Sequence, residues 1–251
     1  MKRLFYLACL LQVLAITGAA VAADAPAIVP TPKNSGEWQS RHATYVTAAK
    51  RGGIDLLFVG DSITEYWDAE GQDVWQETYK PLKAAQFGIA ADKIENILWR
   101  LQNGELDPAL KPKVLVLLGG VNNSWGCKRE QAESRGTSIA AGIAEIVKTV
   151  QAKLPKTKIL ILAIFPLQDG TALCVKLANE KIAGLKDDKK VFFLDLGPKL
   201  ADKDGNLSKE LTKDGTHLNE KGYQVWADAM SDTIKNLMAD KTPENKTAGA
   251  R

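Results

Sequence analysis

The sequence LLFVGDSITEYW, residues 56–67, sets the expectation for how this chain folds. Four apolar residues lead directly into Gly60, Asp61 and Ser62, and a polar segment with helical character follows. A continuously apolar run of this length is typical of a strand covered on both faces, as in a parallel sheet. Ligands of such sheets bind beyond the carboxyl ends of the strands. We therefore expect Ser62 at a ligand-binding edge, beside the free N–H groups of a helix.

Apolar runs and helical patterns alternate along the rest of the chain. Four more runs are expected to be strands: residues 84–87, 114–118, 159–164 and 191–194. Between them, apolar residues recur at helical spacing, for example at Ile94, Ile97, Leu98 and Leu101. A last helix is expected from about Asn219. This alternation predicts an α/β fold in which helices cover both faces of a five-stranded parallel sheet.

The composition is that of an ordinary globular domain. Of the 251 residues, 45% are hydrophobic and 25% are charged, which is enough apolar material for one domain with a sizeable core. Lysine and arginine are scattered among acidic residues without a basic stripe. Nucleic acid is therefore not an expected partner.

Residues 1–23 have the pattern of a secretory signal peptide. A short positive head precedes an uncharged run that ends in small residues. This pattern predicts a secreted or periplasmic protein with no membrane span in the mature chain. An uncleaved anchor is the alternative, because about twenty uncharged residues can span a bilayer. Loss of Lys2 and Arg3 with the signal would lower the formal net charge from +3 to +1.

The mature chain divides into three segments by composition. Residues 24–37 are rich in proline and polar residues and are interpreted as a linker or N-terminal arm. Residues 38–240 contain the predicted strands and helices and are expected to form one domain. Residues 241–251 are expected to be a disordered tail.

A serine at a strand end becomes a nucleophile only if a base takes its proton, and that base is usually histidine. The chain has two histidines, and His217 lies in DGTHLNEKGY, after the fifth predicted strand. Asp214 precedes it by three residues and is expected to accept a hydrogen bond from Nδ1 of the His217 ring, which fixes the tautomer of the ring. We therefore predict Ser62, His217 and Asp214 as catalytic residues. Each motif alone also fits an ordinary turn or helix cap. His42 precedes the first strand and is interpreted as structural.

Acyl transfer also needs hydrogen-bond donors for the oxyanion. Asn122 follows the third predicted strand, and Gly88 follows the second. Together with the N–H of Ser62 itself, they are predicted to form the oxyanion hole. For Asn122 the alternative is a turn asparagine.

Four further residues are candidates for other roles. Trp67 and Trp125 lie near the predicted site edge and are candidate substrate contacts, although such residues are more often packed. Cys127 and Cys174 are a candidate disulfide in an exported protein, with two separate buried thiols as the alternative. No cluster of potential ligands has metal-site spacing, so neither a metal nor another cofactor is expected.

The ordered set of motifs resembles the SGNH, or GDSL-like, hydrolase family. The motifs are DLLFVGDSITEYW, FGIAADKIENILWRLQNGELD, PKVLVLLGGVNN and DGTHLNEKGY. They are most similar to the branch that contains the catalytic subunits of platelet-activating-factor acetylhydrolase and many exported bacterial relatives. The resemblance assigns the four family roles to Ser62, Gly88, Asn122 and His217. One departure is Ala90-Ala91, where that branch often has a glycine pair.

The resemblance implies a three-layer α/β/α flavodoxin-like fold and a metal-independent ester hydrolase. We expect a serine esterase that removes short acyl groups, acetyl above all, from carbohydrate such as acetylated polysaccharide. A lysophospholipase or platelet-activating-factor-acetylhydrolase-like lipid esterase is the first alternative. A carbohydrate-binding protein with a vestigial site is the second. The sequence leaves open whether the protein forms a homodimer.

Overall fold

A computed structural model of the chain describes residues 27–167 and 171–239. The predicted signal peptide (1–23) and disordered tail (241–251) lie outside these ranges and stay predictions. Within the described ranges, none of the helices combines the length and the apolar character needed to cross a membrane.

The five predicted strands are present and form one parallel sheet. They are β1 (Leu56–Gly60), β2 (Ala84–Gly88), β3 (Val114–Leu118), β4 (Lys158–Leu162) and β5 (Val191–Leu194). The strand order is β2-β1-β3-β4-β5, and each neighbouring pair is parallel. The chain reverses its direction of travel across the sheet between β1 and β3, so the expected ligand crevice lies at the carboxyl end of β1.

Helices connect the strands and cover the sheet. The longer ones are α1 (Gly36–Arg51), α3 (Gln72–Thr78), α4 (Ile94–Arg100), α6 (Ala132–Lys153), α7 (Ala172–Ala183) and α9 (Glu220–Met238). The single-turn helices are α2 (Ser62–Glu65), α5 (Val121–Ser124) and α8 (Gly197–Leu200). The helix expected from Asn219 is confirmed as α9, and the side chain of Asn219 caps it.

Two groups of helices pack on the sheet. In one group α6 contacts both α4 and α7, and in the other α9 contacts both α3 and α8. The three central strands, β1, β3 and β4, are almost completely buried, with Leu56, Val59 and Leu117 each 0% exposed. This burial on both faces explains why the strands are continuously apolar instead of alternating.

The N-terminal arm is packed on the domain. Ala27 is buried, and its N–H donates to Ser138 Oγ of α6 at 3.0 Å. A Cβ on Gly142 of α6 would lie 2.9 Å from the Ala27 carbonyl oxygen, so the arm approaches the α6 backbone closely. The described part of the segment predicted as a linker or N-terminal arm (24–37) thus lies against α6. Its last two residues, Gly36 and Glu37, belong to α1, which the Ser35 side chain caps.

Candidate active site

Gly60 ends β1 at a point where no side chain fits. A Cβ there would lie 2.2 Å from Thr64 Oγ1 and 2.3 Å from the Leu118 carbonyl oxygen. Both atoms belong to neighbouring elements, α2 and β3. Only glycine therefore lets the chain turn from the strand directly into α2, which starts with Ser62.

Asp61 is the cap of this short helix. Its Oδ1 accepts the N–H of Ile63 at 3.0 Å, which satisfies a free donor of the first turn. The residue is 0% exposed, and Oδ2 has no hydrogen-bond partner among the described residues. Burial raises the pKa of Asp61 to about 7 against the opposing hydrogen bond from Ile63, and the nearby Asp92 adds to the increase. The acid of the Gly-Asp-Ser motif thus shapes the turn that presents Ser62.

The structure brings Ser62, His217 and Asp214 into one hydrogen-bonded chain. Ser62 Oγ lies 2.9 Å from His217 Nε2, and His217 Nδ1 lies 2.7 Å from Asp214 Oδ2. The Ser62 residue is 5% exposed, whereas the Asp214 side chain is 46% exposed. The arrangement places a base on the hydroxyl group and an acid on the base, as nucleophilic catalysis requires.

A tight turn between α8 and α9 holds the imidazole. Asp214 Oδ1 accepts the N–H groups of Thr216 at 3.0 Å and of His217 at 2.8 Å. Thr212 Oγ1 donates to the His217 carbonyl oxygen at 2.7 Å and accepts the N–H of Gly215 at 2.9 Å. Gly215 has a φ of +88°, a conformation that favours glycine. These contacts all lie within six residues, so the turn itself fixes the pair.

The charge on Asp214 is stabilised by the same turn. Partial burial would raise the pKa of Asp214, but hydrogen bonds from the His217 backbone, the His217 ring and the Thr216 backbone outweigh it and hold the pKa below its usual value. Asp214 therefore stays ionised at neutral pH and can stabilise an imidazolium. The Tyr66 ring packs beside the imidazole at a centroid distance of 5.0 Å, and Lys213 Nζ lies 4.5 Å from the centre of the Tyr66 ring.

Gly88 does not have the role that the sequence predicted for it. Its N–H already donates to Gln86 Oε1 at 2.8 Å, so it is not available to an oxyanion. Glycine is required at this position for a different reason. A Cβ here would lie 2.3 Å from the backbone nitrogen of Glu65. Gly88 thus lets the end of β2 pack directly against α2.

The loop after β2 offers a different donor. Ala91 is exposed and has a φ of +59°, and within the described residues no acceptor lies within hydrogen-bonding distance of its N–H. The same is true of the Ser62 N–H. The loop lies against the end of β1 and against α2, because the N–H of Ile89 donates to the Gly60 carbonyl oxygen of β1 and that of Ala90 donates to Glu65 Oε2 of α2. One feature of the sequence marks this position: the Ala90-Ala91 pair, where the family branch that the motifs resemble often has two glycines.

Asn122 lies where the sequence predicted it, in the first turn after β3. One of its side-chain N–H groups donates to the Asp92 carbonyl oxygen at 2.9 Å, which leaves the second N–H for another acceptor. The amide is therefore oriented by the residue that directly follows Ala91. Ser62 N–H, Ala91 N–H and the Asn122 amide form a set of three donors on neighbouring elements.

Asp92 connects the loop of residues 89–92 to a buried ionic network that the sequence did not predict. Its Oδ2 accepts Arg100 Nε at 2.8 Å, and Arg100 also forms an ion pair with Glu105. All three side chains are 0% exposed. Burial would lower the pKa of Arg100, but the two carboxylates outweigh it and raise the pKa above its usual value. His42, interpreted as structural, extends the network through Nδ1, 2.9 Å from Glu105 Oε1.

The two candidate tryptophans differ in exposure. Trp67 is 0% exposed and packs against Tyr223 and Trp226 of α9 at centroid distances of 4.5 and 4.8 Å. The prediction of Trp67 as a substrate contact is therefore wrong, because its ring faces the core. Trp125 is 52% exposed and follows α5, the helix that carries Asn122.

Cys127 and Cys174 are two buried free thiols, and the predicted disulfide is absent. The alternative from the sequence holds in that the two thiols are unbridged, but they are not separate, because they form a hydrogen bond with each other. Burial and the hydrogen bond with Cys127 raise the pKa of the Cys174 thiol to about 12. Across the part of the chain that the structure describes, no group of three or more His, Cys, Asp or Glu residues is placed to hold a metal ion.

Comparison with known proteins identifies the family. The model of the GDSL-like Lipase/Acylhydrolase family matches residues 58–225, which is more than half of the chain. The alpha1 subunit of platelet-activating factor acetylhydrolase IB from Homo sapiens is 32% identical over 222 residues, which cover 85% of this chain and 91% of that protein. The alpha2 subunit from Mus musculus is 31% identical over 232 residues, which cover 88% and 95%.

Solved structures share the fold. A GDSL-like lipase from Bacteroides thetaiotaomicron superposes with a TM-score of 0.64 at 19% identity, covering 78% of this chain and 97% of that one. Axe2, an acetylxylan esterase from Geobacillus stearothermophilus, gives a TM-score of 0.56 at 18% identity, covering 74% and 94%. The predicted three-layer α/β/α architecture with its five-stranded parallel sheet is confirmed. The chain belongs to the GDSL-like lipase/acylhydrolase family and is a carboxylic ester hydrolase.

Proposed function

We propose that this hydrolase removes short acyl groups, above all acetyl, from carbohydrate esters outside the cytoplasm. The observation that carries the proposal is the hydrogen-bonded chain from Ser62 Oγ through His217 to Asp214, with free donors beside the hydroxyl. In the first half-reaction Ser62 Oγ attacks the ester carbonyl carbon while His217 Nε2 takes its proton. The tetrahedral oxyanion receives hydrogen bonds from Ser62 N–H, Ala91 N–H and the Asn122 amide.

The first half-reaction ends when His217 passes its proton to the departing alcohol, which leaves an acyl ester on Ser62. In the second half-reaction water attacks this ester while His217 takes a proton from the water. His217 then returns this proton to Ser62 Oγ as the carboxylic acid departs. Asp214 stays ionised throughout and stabilises the imidazolium that forms in each half.

A carbohydrate substrate is supported by Trp125. Its side chain is half exposed and lies three residues after Asn122. An exposed indole ring offers a flat apolar face for a sugar ring, while its N–H can still donate. The signal-peptide pattern of residues 1–23 and a nearly neutral mature chain suit an enzyme that meets uncharged polysaccharide outside the cell.

A direct test of the mechanism is the replacement of Ser62 by alanine. We expect Ser62→Ala to abolish hydrolysis of p-nitrophenyl acetate and labelling by a fluorophosphonate, because the nucleophile is gone. Ser40→Ala, on the exposed side of α1, is the matched control and should retain both. Circular dichroism would establish that both variants fold. Turnover by folded Ser62→Ala at the wild-type rate would refute the mechanism.

Lipid ester hydrolysis is the second candidate, and the 32% identity to a platelet-activating factor acetylhydrolase subunit favours it. The name of that protein and the name acetylxylan esterase both refer to acetyl esters, so acetyl release alone does not separate the candidates. The decisive measurement compares acetylated xylan and acetylated sugars with a platelet-activating-factor analogue and with p-nitrophenyl esters of increasing chain length. Preference for acetylated xylan, with Trp125→Ala lowering its turnover more than that of p-nitrophenyl acetate, supports the carbohydrate proposal. Preference for the lipid refutes it.

A further inference from the structure

Residues 27–35, the N-terminal arm, end beside the loop that carries Ala91. The Lys33 ammonium lies 3.0 Å from Asp92 Oδ1 and 3.4 Å from the Ala90 carbonyl oxygen. These two residues flank Ala91 on either side. A single side chain of the arm thus contacts both neighbours of an N–H that is free to bind an oxyanion.

Asp92 is the residue through which this contact reaches the site. Its Oδ1 also accepts Trp38 Nε1 at 2.7 Å, and its Oδ2 accepts Arg100 Nε at 2.8 Å. Its carbonyl oxygen accepts the Asn122 amide at 2.9 Å. Asp92 therefore orients the Asn122 amide directly. Because it follows Ala91 in the chain, it also fixes the backbone next to the Ala91 N–H.

The loop needs such support because Ala91 adopts a left-handed conformation, with a φ of +59°. For a residue with a Cβ this conformation is unfavourable, because the Cβ comes close to the carbonyl oxygen that follows it. Contacts on both sides must hold it in place. Lys33 supplies one of them to the Ala90 carbonyl oxygen and a second to the Asp92 carboxylate.

The arm in turn is held by the body of the domain. The N–H of Thr31 donates to the Glu95 carbonyl oxygen at 3.0 Å, and Asn96 Nδ2 donates to the Thr31 carbonyl oxygen at 2.8 Å. Both partners belong to α4. The Lys33 carbonyl oxygen accepts Gln39 Nε2 of α1 at 2.7 Å. The ammonium group is thus presented from an ordered backbone on both sides of Lys33.

We infer that Lys33 is a positioning residue of the active site, through which the N-terminal arm holds the Ala91–Asp92 loop in the geometry that binds the oxyanion. The inference rests on the proposed oxyanion role of Ala91 and Asn122. Lys33 does not touch the substrate. It acts on the transition state, because a misplaced donor weakens binding of the oxyanion more than binding of the ester.

The test is a set of variants assayed with p-nitrophenyl acetate. We expect Lys33→Ala to lower kcat roughly tenfold with little change in KM, since small displacements of catalytic groups produce losses of this order. Lys33→Arg should restore most of the rate, because a cation again reaches Asp92. Lys50→Ala, which removes an exposed lysine in the last turn of α1, is the control and should match the wild type.

A double-mutant cycle with Asn122→Ala separates positioning from general stability. If Lys33 acts through the oxyanion donors, its removal should cost less than about threefold once Asn122 is gone, because residues that act as one unit are not additive. Wild-type kcat in Lys33→Ala, or a fully additive loss in the double variant, would overturn the inference. Neither result would touch the proposed function, which depends on the activity of Ser62→Ala.

Discussion

The turn that carries His217 and the loop that carries Ala91 both border Ser62, but different contacts hold them. Between Thr212 and His217 the turn is closed by its own hydrogen bonds, and Asp214 remains 46% exposed. Residues 89–92 are fixed by groups outside the loop, including Lys33 of the N-terminal arm and Arg100 of α4, and Asp92 is 0% exposed. The base is thus positioned locally and near water, whereas the oxyanion donors depend on a buried ionic network.

The largest effect is expected in the turn, for Asp214→Asn. The substitution keeps the shape of the side chain but removes the charge that stabilises the imidazolium and the acceptor that fixes its tautomer. We expect kcat for p-nitrophenyl acetate to fall roughly 10⁴-fold while the free energy of unfolding changes little. Asp204→Asn, in the exposed loop after α8, is the control. A loss below tenfold would mean that the exposed Asp214 does not act as the third member of a triad.

The difference between the two regions explains what the sequence could predict. Asp214 and His217 are three residues apart, so their contact follows from the local chain. The five strands could be predicted from continuously apolar runs, because a strand that is buried on both faces has apolar residues at successive positions. Ser62 follows from the rule that parallel sheets bind ligands at the carboxyl ends of their strands.

The role of the loop of residues 89–92 could not be predicted in the same way. Gly88 was expected to be a donor because glycine exposes its N–H, yet the structure uses this glycine for close packing against α2. The free N–H belongs to Ala91, whose left-handed backbone depends on distant partners. The contact between Lys33 and Asp92 joins residues 59 positions apart, and no periodicity or motif encodes such a pair. The side-chain direction of Trp67 depends equally on tertiary packing.

The next largest effect is expected for Arg100→Met, which tests how much the buried network around Asp92 stabilises the fold. The substitution leaves Asp92 and Glu105 without their shared cation, at positions that are 0% exposed. Breaking a buried ion pair from one side typically costs about 3–5 kcal/mol. We expect a loss of this size in the free energy of unfolding, measured by urea denaturation. Arg129→Met removes an exposed arginine and should cost less than about 0.5 kcal/mol. Equal losses in the two variants would show that the network contributes no stability.

Asp61 gives a pH-dependent test of the buried region. Its pKa is raised to about 7, chiefly by burial, whereas the pKa of the same group in an unfolded chain is near its ordinary value of 3.8. Between these values the folded protein keeps a proton that the unfolded chain has released, so stability falls as the pH rises through this window. Asp61→Asn cannot ionise and removes this slope. We expect the variant to gain stability relative to the wild type, by a few kcal/mol at most, as the pH rises from 4 to 8. Parallel stability curves would contradict the raised pKa.

The smallest effect is expected for Lys213→Met, in the exposed turn that carries His217. Lys213 pairs with Glu70 and lies over the Tyr66 ring, but its side chain is 39% exposed and that of Glu70 is 30% exposed. Exposed ion pairs contribute roughly 0–1 kcal/mol, because water and salt screen them. We expect a stability change below about 1 kcal/mol that disappears at high salt, and a rate change below about threefold.

Lys33→Met is the matched counterpart of Lys213→Met, because each variant removes one lysine from one carboxylate. The partner of Lys33, Asp92, is 0% exposed, so salt cannot replace the missing ammonium group. The loss of kcat in Lys33→Met should therefore persist at high salt, while the effect of Lys213→Met fades. The measurement is kcat of both variants across a salt series. A loss that persists only in Lys33→Met would show that a lysine affects this site when its carboxylate partner is buried. An ion pair alone would then not be enough. If both effects fade together, the loop of residues 89–92 is held no differently from the turn.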